Sequence, residues 1–189
     1  KTTTMSMLVG LFSPSSGTAY LNGKDIRTEL NEARASVGIC PQQNVLFEEL
    51  TVREHLMFFC ALKGMEDKRM VAEDVRKYIA ILDLKDKANQ QSKTLSGGMK
   101  RKLSIAIALC GNAKIVILDE PTSGIDVEAR RHLWDLLIAE KQNRTILLST
   151  HYMDEADILG DRIAIITEGH LRTVGSSFFL KKKFGTGYR

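Results

Sequence analysis

Two short segments hold residue types that do chemistry when brought to one place. In Ile115-Val116-Ile117-Leu118-Asp119-Glu120, four apolar residues run straight into two carboxylates. Such an uninterrupted run reads as a strand buried on both faces. The acids then fall at the carboxyl edge of a sheet, where α/β folds bind ligands. A strand that simply ends in a polar turn fits the same residues. In Leu95-Ser96-Gly97-Gly98-Met99-Lys100-Arg101-Lys102-Leu103, a serine hydroxyl and two N–H groups without side chains stand where a helix starts. Unpaired N–H groups and the positive end of a helix dipole suit phosphate. The plainer reading is that Ser96 caps a helix whose Leu103, Ile107 and Ala108 pack inward. His151 directly follows a run ending Ser149-Thr150 and so also stands at a carboxyl edge. His55, His132 and His170 have no such context and are read as structural.

These groups need a frame, and three apolar runs supply one: Ile115 to Leu118, Thr145 to Leu148, and Ile163 to Ile166. All three have the character of doubly buried strands and predict a parallel sheet. Between the first two, Leu133, Leu136 and Leu137 recur at helical spacing within Val127 to Glu140, and Asp126 stands where an N-cap belongs. That is a β-α-β unit of about 30 residues. A weaker strand, Val37 to Cys40, precedes Pro41. Thr18 to Leu21 ahead of Asn22-Gly23 reads as an antiparallel ribbon with a tight turn. From Thr51 to about Leu84 the pattern is helical only: Thr51 with Glu54 makes a capping box, and Val71, Val75, Tyr78, Ile79 and Leu82 recur at three- and four-residue steps. The expected fold is α/β, a mostly parallel core sheet with an antiparallel ribbon and an inserted helical subdomain.

Composition sets the bounds. A chain of 189 residues, 43% of them apolar, buries roughly 70% of the surface its unfolded form exposes, which makes one domain the default. The net charge of +4 comes from scattered Lys and Arg, apart from the run Lys181 to Lys183. No basic stripe is interleaved with aromatics, so the charge reads as solvated surface rather than a nucleic-acid face. Cys40, Cys60 and Cys110 lie far apart in apolar surroundings without metal-ligand spacing, and read as buried thiols in a reducing compartment. No stretch of 18 or more apolar residues occurs, so no span is expected. The Asn143-Arg144-Thr145 triplet reads as a turn entering a strand. Lys1-Thr2-Thr3-Thr4 is neither a start nor a signal peptide, and Gly185 to Arg189 stops without a tail, so the chain is expected to be a fragment of something longer.

The segment Leu95 to Leu103 resembles the signature motif of ATP-binding cassette proteins. Other landmarks of that family follow in its order. Lys1-Thr2-Thr3, followed by Met5, Leu8, Val9 and Leu11, resembles the end of a Walker A loop and the helix after it. Gln42 resembles the Q-loop glutamine and matches better than Gln43, because it precedes Leu46-Phe47 by the usual spacing. Ile115 to Glu120 is similar to Walker B, Ser123-Gly124-Ile125-Asp126 to the D-loop, and His151 to the switch histidine. The resemblance covers the whole chain. Leu11 to Ala19, Cys40 to Phe47, the G-G-M-K-R-K-L wording and Ser149 to Asp157 narrow it to subfamily A, known for moving lipids and sterols. Met99 stands where Gln is usual and Ile125 where Leu is common; neither departure removes a catalytic group.

The resemblance implies a P-loop NTPase fold, with 1–41 and 96–189 as the ATPase core and 42–95 as the Q-loop and helical subdomain. It implies an ATPase that couples hydrolysis to transmembrane transport, on the cytoplasmic face of an integral membrane protein, with ATP and Mg²⁺ as ligands. By the same resemblance Lys1 and the backbone at Thr2 and Thr3 hold the phosphates, Thr2 and Gln42 ligate Mg²⁺, and Asp119 orients it through its water shell. Glu120 is the base that polarises the attacking water, and His151 contacts the γ-phosphate. Ser96, Gly97 and Gly98 serve the nucleotide of a second cassette in a head-to-tail pair, with Asp126 bridging across. The stretch Gln42 to Phe59 is the expected surface for the transmembrane domains; Phe47, Phe58 or Phe59 would mark it, but for the last two helix core is the favoured expectation. The other reading is a soluble cassette ATPase acting on nucleic acid or ribosomes, a class that generally lacks the C-P-Q-Q-N-V-L-F and T-H-Y-M-D-E-A wording. Without the loop glycines and the adenine-stacking aromatic, the 189 residues alone are expected to be inactive.

Overall fold

Strand β4 (Ile115–Asp119) is the centre of a three-stranded parallel sheet, between β3 (Val37–Cys40) and β5 (Thr145–Ser149). The computed structural model describes residues 1–185; Thr186 to Arg189, most of the tailless end noted above, lie outside the described residues. Cys40 pairs with Leu118, and Asp119 with Ser149. A central strand covered on both faces has no solvent side, so its apolar residues are consecutive rather than alternating. Val116, Ile117 and Leu118 are accordingly fully buried.

Helix α1 (Thr2–Leu8) covers one face, where Met5 and Val9 pack on Ile117, with Leu8, Val37 and Ile39 around them. Close to them, β1 (Tyr20–Leu21), β2 (Lys24–Asp25) and α2 (Leu30–Ala35) enclose a second small core of Leu21, Ile26 and Ala33. The β1–β2 ribbon is shorter than the Thr18 to Leu21 reading, but its turn is as expected: Asn22 and Gly23 are both left-handed, at φ 50° and 79°, as a two-residue hairpin turn requires. Helix α5 (Gly97–Leu109) covers the other face and is buried continuously from Leu103 to Leu109. It approaches so closely that a Cβ on Gly38 would lie 1.8 Å from the Ala108 carbonyl oxygen.

Helices α3 (Val52–Leu62) and α4 (Lys68–Ile81) pack together through Val52, Leu56 and Cys60 against Val75, Tyr78 and Ile79. The Thr51–Glu54 capping box is present, and Asp67 caps α4. Glu140, at the end of α6 (Val127–Glu140), is buried and takes salt bridges from Lys77 at 2.7 Å and Arg144 at 2.8 Å. A buried carboxylate held by two cations is costly to break, because either loss strands a charge. Arg144 also donates to the Leu109 carbonyl, so the Asn143-Arg144-Thr145 triplet is a packed turn entering β5. All three cysteines are free and buried. Burial pushes the Cys40 thiol up to about 11. The Cys60 thiol donates to Asp74 Oδ2 at 3.8 Å and the Cys110 thiol to the Ile107 carbonyl at 3.3 Å.

Thr2–Ser149 is one compact unit; residues 150–185, with Lys1, belong to another. The second contains α7 (Met153–Leu159), β6 (Ile163–Thr167), β7 (His170–Gly175) and α8 (Ser177–Phe184). The third apolar run was expected in the parallel sheet, but β6 pairs antiparallel with β7 and none of its residues is fully buried. A short apolar run does not encode the direction of its partner. Here Glu168 and Gly169, left-handed at φ 52° and 78°, close a hairpin. Among the described residues, no helix is long and apolar enough to cross a membrane.

Gly38→Ala should lower stability by about 3 kcal/mol, the upper range for overpacking, because the obstructing atom is backbone. A marked fall in the calorimetric unfolding temperature checks this.

Candidate functional site

β4 delivers Asp119 at its last position, where the carboxylate is buried and accepts a hydrogen bond from the Ser149 hydroxyl at the end of β5. Glu120 follows with φ 51°, a left-handed conformation rare for glutamate and concentrated at functional sites. Its N–H donates to Ser149, to the carbonyl at 3.1 Å and the hydroxyl at 3.2 Å. Its carbonyl accepts from Ser123 N–H at 3.1 Å, closing the turn into the next segment. Glu120 is half-buried, so its carboxylate is fixed at the root and reachable from outside.

Arg101 binds the two strand ends together. It is 3% exposed, and its Nη2 donates to the carbonyls of Asp119 at 2.6 Å and Glu120 at 2.9 Å. Its Nε donates to Pro121, while Nη1 donates to the carbonyls of Pro41 at 2.6 Å and Gln42 at 3.1 Å and to Asn44 Oδ1 at 3.3 Å. Hydrogen bonds from a charged donor contribute about 1.5–3 kcal/mol each when buried. Sequence reading assigned Arg101 nothing. The available signal was its place three and four residues before Ser104 and Ile105, on the inward face of α5.

Gln42 leaves β3 by this carbonyl contact while its side chain is exposed, as is that of Gln43. Ser96 is the N-cap of α5, its hydroxyl accepting from Met99 N–H at 3.3 Å. A Cβ on Gly97 or Gly98 would meet nothing within 4 Å, so the first turn of α5 faces open space. Asp126 caps α6 by accepting from Ala129 N–H at 2.9 Å, a bond that holds its carboxyl below the usual range. Its carboxylate therefore serves its own helix. Thr2 and Thr3 form the exposed first turn of α1.

Lys1 and His151 belong to the other unit. The Lys1 ammonium donates to the Thr150 carbonyl at 2.7 Å, which brings it beside His151 in the chain. The His151 ring is exposed and lies on Tyr152, centroids 4.1 Å apart.

Away from the strand ends, Phe47, Glu48, Glu49, Leu50 and Phe58 line an open groove of about 540 Å³. Phe58, for which helix core was the favoured expectation, is 44% exposed, and Phe59 is half-buried. The inward stripe of α3 is Val52, His55, Leu56 and Cys60; Phe58 lies off it. The two rings meet edge to face at 5.2 Å, and Phe47 stands 5.7 Å from Phe58. His55 holds this segment from beneath, accepting from Phe47 N–H at 3.0 Å. Its structural reading stands, with burial pulling its imidazole down.

Residues 1–123 match the family model described as ABC transporter. The chain is 56% identical over 188 residues to the mouse phospholipid-transporting ATPase ABCA3, covering 100% of this chain and 11% of that protein. It is 57% identical over 189 residues to the rat ATP-binding cassette sub-family A member 2, covering 100% of this chain and 8% of that one. To the human retinal-specific phospholipid-transporting ATPase ABCA4 it is 53% identical over 187 residues, with 99% and 8% covered. It thus spans about a tenth of the length of these relatives. Its fold matches a solved ATP-binding subunit of an ABC transporter with a TM-score of 0.88 at 27% identity, covering 98% of this chain and 77% of that one. It also matches the dimeric post-hydrolysis state of an ATP-binding cassette bound to ADP and Pi, with a TM-score of 0.82 at 24% identity over 92% of this chain and 79% of the other.

The start of α5 gives a paired expectation. Ser96→Ala should cost about 1 kcal/mol through loss of the cap. Gly98→Ala should instead add about 0.5–1 kcal/mol, since the methyl group meets no neighbour and glycine is the poorer helix former. Denaturant midpoints shifting in opposite directions check both.

Proposed function

The chain belongs to the ABC transporter family, and on that premise we propose that it is the ATP-binding and ATP-hydrolysing domain of a transporter that moves lipid across a membrane. The observation that carries the catalytic part is the end of β4, where a left-handed Glu120 follows a buried Asp119 held by Ser149. Phosphoryl transfer asks a protein for positioning and charge neutralisation. Lys1 and the first-turn N–H groups of α1 hold the β- and γ-phosphates. Glu120 takes the proton of the attacking water, and His151 donates to the γ-phosphate.

The donor set of Thr2 hydroxyl, Gln42 amide oxygen and Asp119 carboxylate is all hard oxygen, which fits Mg²⁺ held by a few protein groups together with phosphates and water. Bound there, Mg²⁺ supplies neutralisation of the phosphate charge. Asp119, one of whose oxygens already accepts from the Ser149 hydroxyl, would help orient it.

The open first turn of α5 supports a role toward a second cassette. Ser96, Gly97 and Gly98 contact the γ-phosphate of the nucleotide held by that partner in a head-to-tail pair, and Asp126 lies along the same interface. Residues 42–95, carrying the Phe47 and Phe58 groove, form the subdomain that receives a cytoplasmic loop of the transmembrane part, which sets the chain on the cytoplasmic face. Relatives named as phospholipid-transporting ATPases support lipid as cargo over a nucleic-acid or ribosomal role.

In the full-length protein, Glu120→Gln should bind ATP as tightly as the parent while turnover falls by roughly 100-fold or more, the contribution of a general base. Nucleotide affinity and phosphate release measured side by side decide this, and unchanged turnover sinks the assignment. Phe58→Asp should leave nucleotide binding intact but abolish the stimulation of ATPase activity by lipid, because a charge enters the groove. Stimulation equal to the parent's would remove the groove from the docking surface.

A further inference from the structure

The geometry points to Arg101 as a positioning residue that sets the Gln42 segment against the Asp119-Glu120 edge. The inference rests on the catalytic reading given above and extends it to a residue to which that reading assigns no role.

The β3–β4 ladder ends at the pair Cys40 and Leu118. Past that point the strands part, and the carbonyls of Pro41 and Gln42 on one side and Asp119, Glu120 and Pro121 on the other have no ladder donors from each other. Arg101 supplies donors to all five. A guanidinium is planar, with five N–H groups in a fixed fork. Groups hung on its two edges therefore keep a fixed separation, unlike groups joined through a flexible side chain. Gln42 and Glu120 both hang by their own carbonyls, so the two residues that must meet one nucleotide are referred to one rigid plane.

Glu120 gains most from this. A left-handed glutamate persists only where surrounding bonds over-determine it. Its N–H is fixed by Ser149 and its carbonyl by Arg101 and Ser123. Without Arg101 the residue can relax toward a right-handed conformation, which swings the carboxylate away from its water. The guanidinium is also buried, its hydrogen bonds go to protein carbonyls and to Asn44, and the catalytic reading above gives it no phosphate to hold. Its removal should therefore slow the chemical step and leave nucleotide affinity almost unchanged.

The test uses the full-length protein in lipid nanodiscs, with Arg101→Lys and Arg101→Met compared for kcat, KM for ATP and thermal midpoint. Lysine keeps the charge and the stem but replaces the fork with a point charge, so it reaches one strand end at a time. On the order of 10- to 100-fold is the cost of a small misplacement of reacting groups. Arg101→Lys is expected to lose about 10-fold in kcat with KM within about three-fold of the parent, and Arg101→Met to lose more. If Arg101→Met fails to fold, Arg101→Lys decides alone. Parental kcat in a folded Arg101→Lys protein overturns the inference, and so does a KM that rises as much as kcat falls. Glu120→Gln is run in parallel as the separate check on the site. Unchanged turnover there defeats the catalytic reading whatever Arg101 does, whereas a stalled Glu120→Gln beside an unaffected Arg101→Lys defeats only the positioning role.

Discussion

The ladder between β3 and β4 stops at Cys40 and Leu118, while that between β4 and β5 continues one step further to Asp119 and Ser149. In the proposed mechanism Gln42, Asp119 and Glu120 are all placed by that uneven ending. Where parallel strands part, main-chain groups lose their ladder partners, and those that stay buried must find another donor or carry a large penalty. Ser149 and Arg101 answer that need. In doing so they fix the direction in which Asp119 and Glu120 leave the sheet, so in the proposed mechanism a requirement of folding and a requirement of catalysis are met by the same bonds.

Much of this was legible in the sequence because it follows from periodicity and capping, which are local. The run Ile115 to Leu118, the β-α-β unit through Leu133, Leu136 and Leu137, and the caps at Thr51, Ser96 and Asp126 all appear where their residue types required. The failures are tertiary. Ile163 to Ile166 has the same apolar character as the core strands, but the direction of its partner is decided by the Glu168-Gly169 turn and by a β7 whose apolar run is broken by His170 and Arg172. Phe58 shows the limit on the other side: hydrophobicity suggested core, and the phase of α3 turned it outward. Arg101 was invisible for a further reason, since its acceptors are main-chain carbonyls, which no side-chain pattern records.

Two kinds of glycine separate what the fold needs from what it merely permits. Gly38 is dictated from within, because α5 lies against its Cα. Gly97 and Gly98 have room for a side chain and helical neighbours that would welcome one. Glycine in a helix costs about 0.5–1 kcal/mol relative to alanine, so these two positions give up stability for which the isolated fold gains nothing. The gain has to come from something that approaches the helix end closely, as a nucleotide carried by a second cassette does in the proposed arrangement.

The charges along α5 point the same way. At its C-terminal end the Lys63 ammonium, pulled down by burial, donates to the carbonyls of Ile107, Ala108 and Cys110 at 2.6, 3.0 and 2.7 Å. That places a cation on the negative end of the helix dipole. At the other end no acidic residue stands in the first turn, whereas α3 has Glu54 and α6 has Glu128 there. A carboxylate at that place would add a few tenths of a kcal/mol and would repel any phosphate that came near. A helix satisfied at its negative end and left without an anion at its positive end is suited to take the anion from outside. Arg101, whose guanidinium holds the Glu120 carbonyl, rises from the next turn of the same helix.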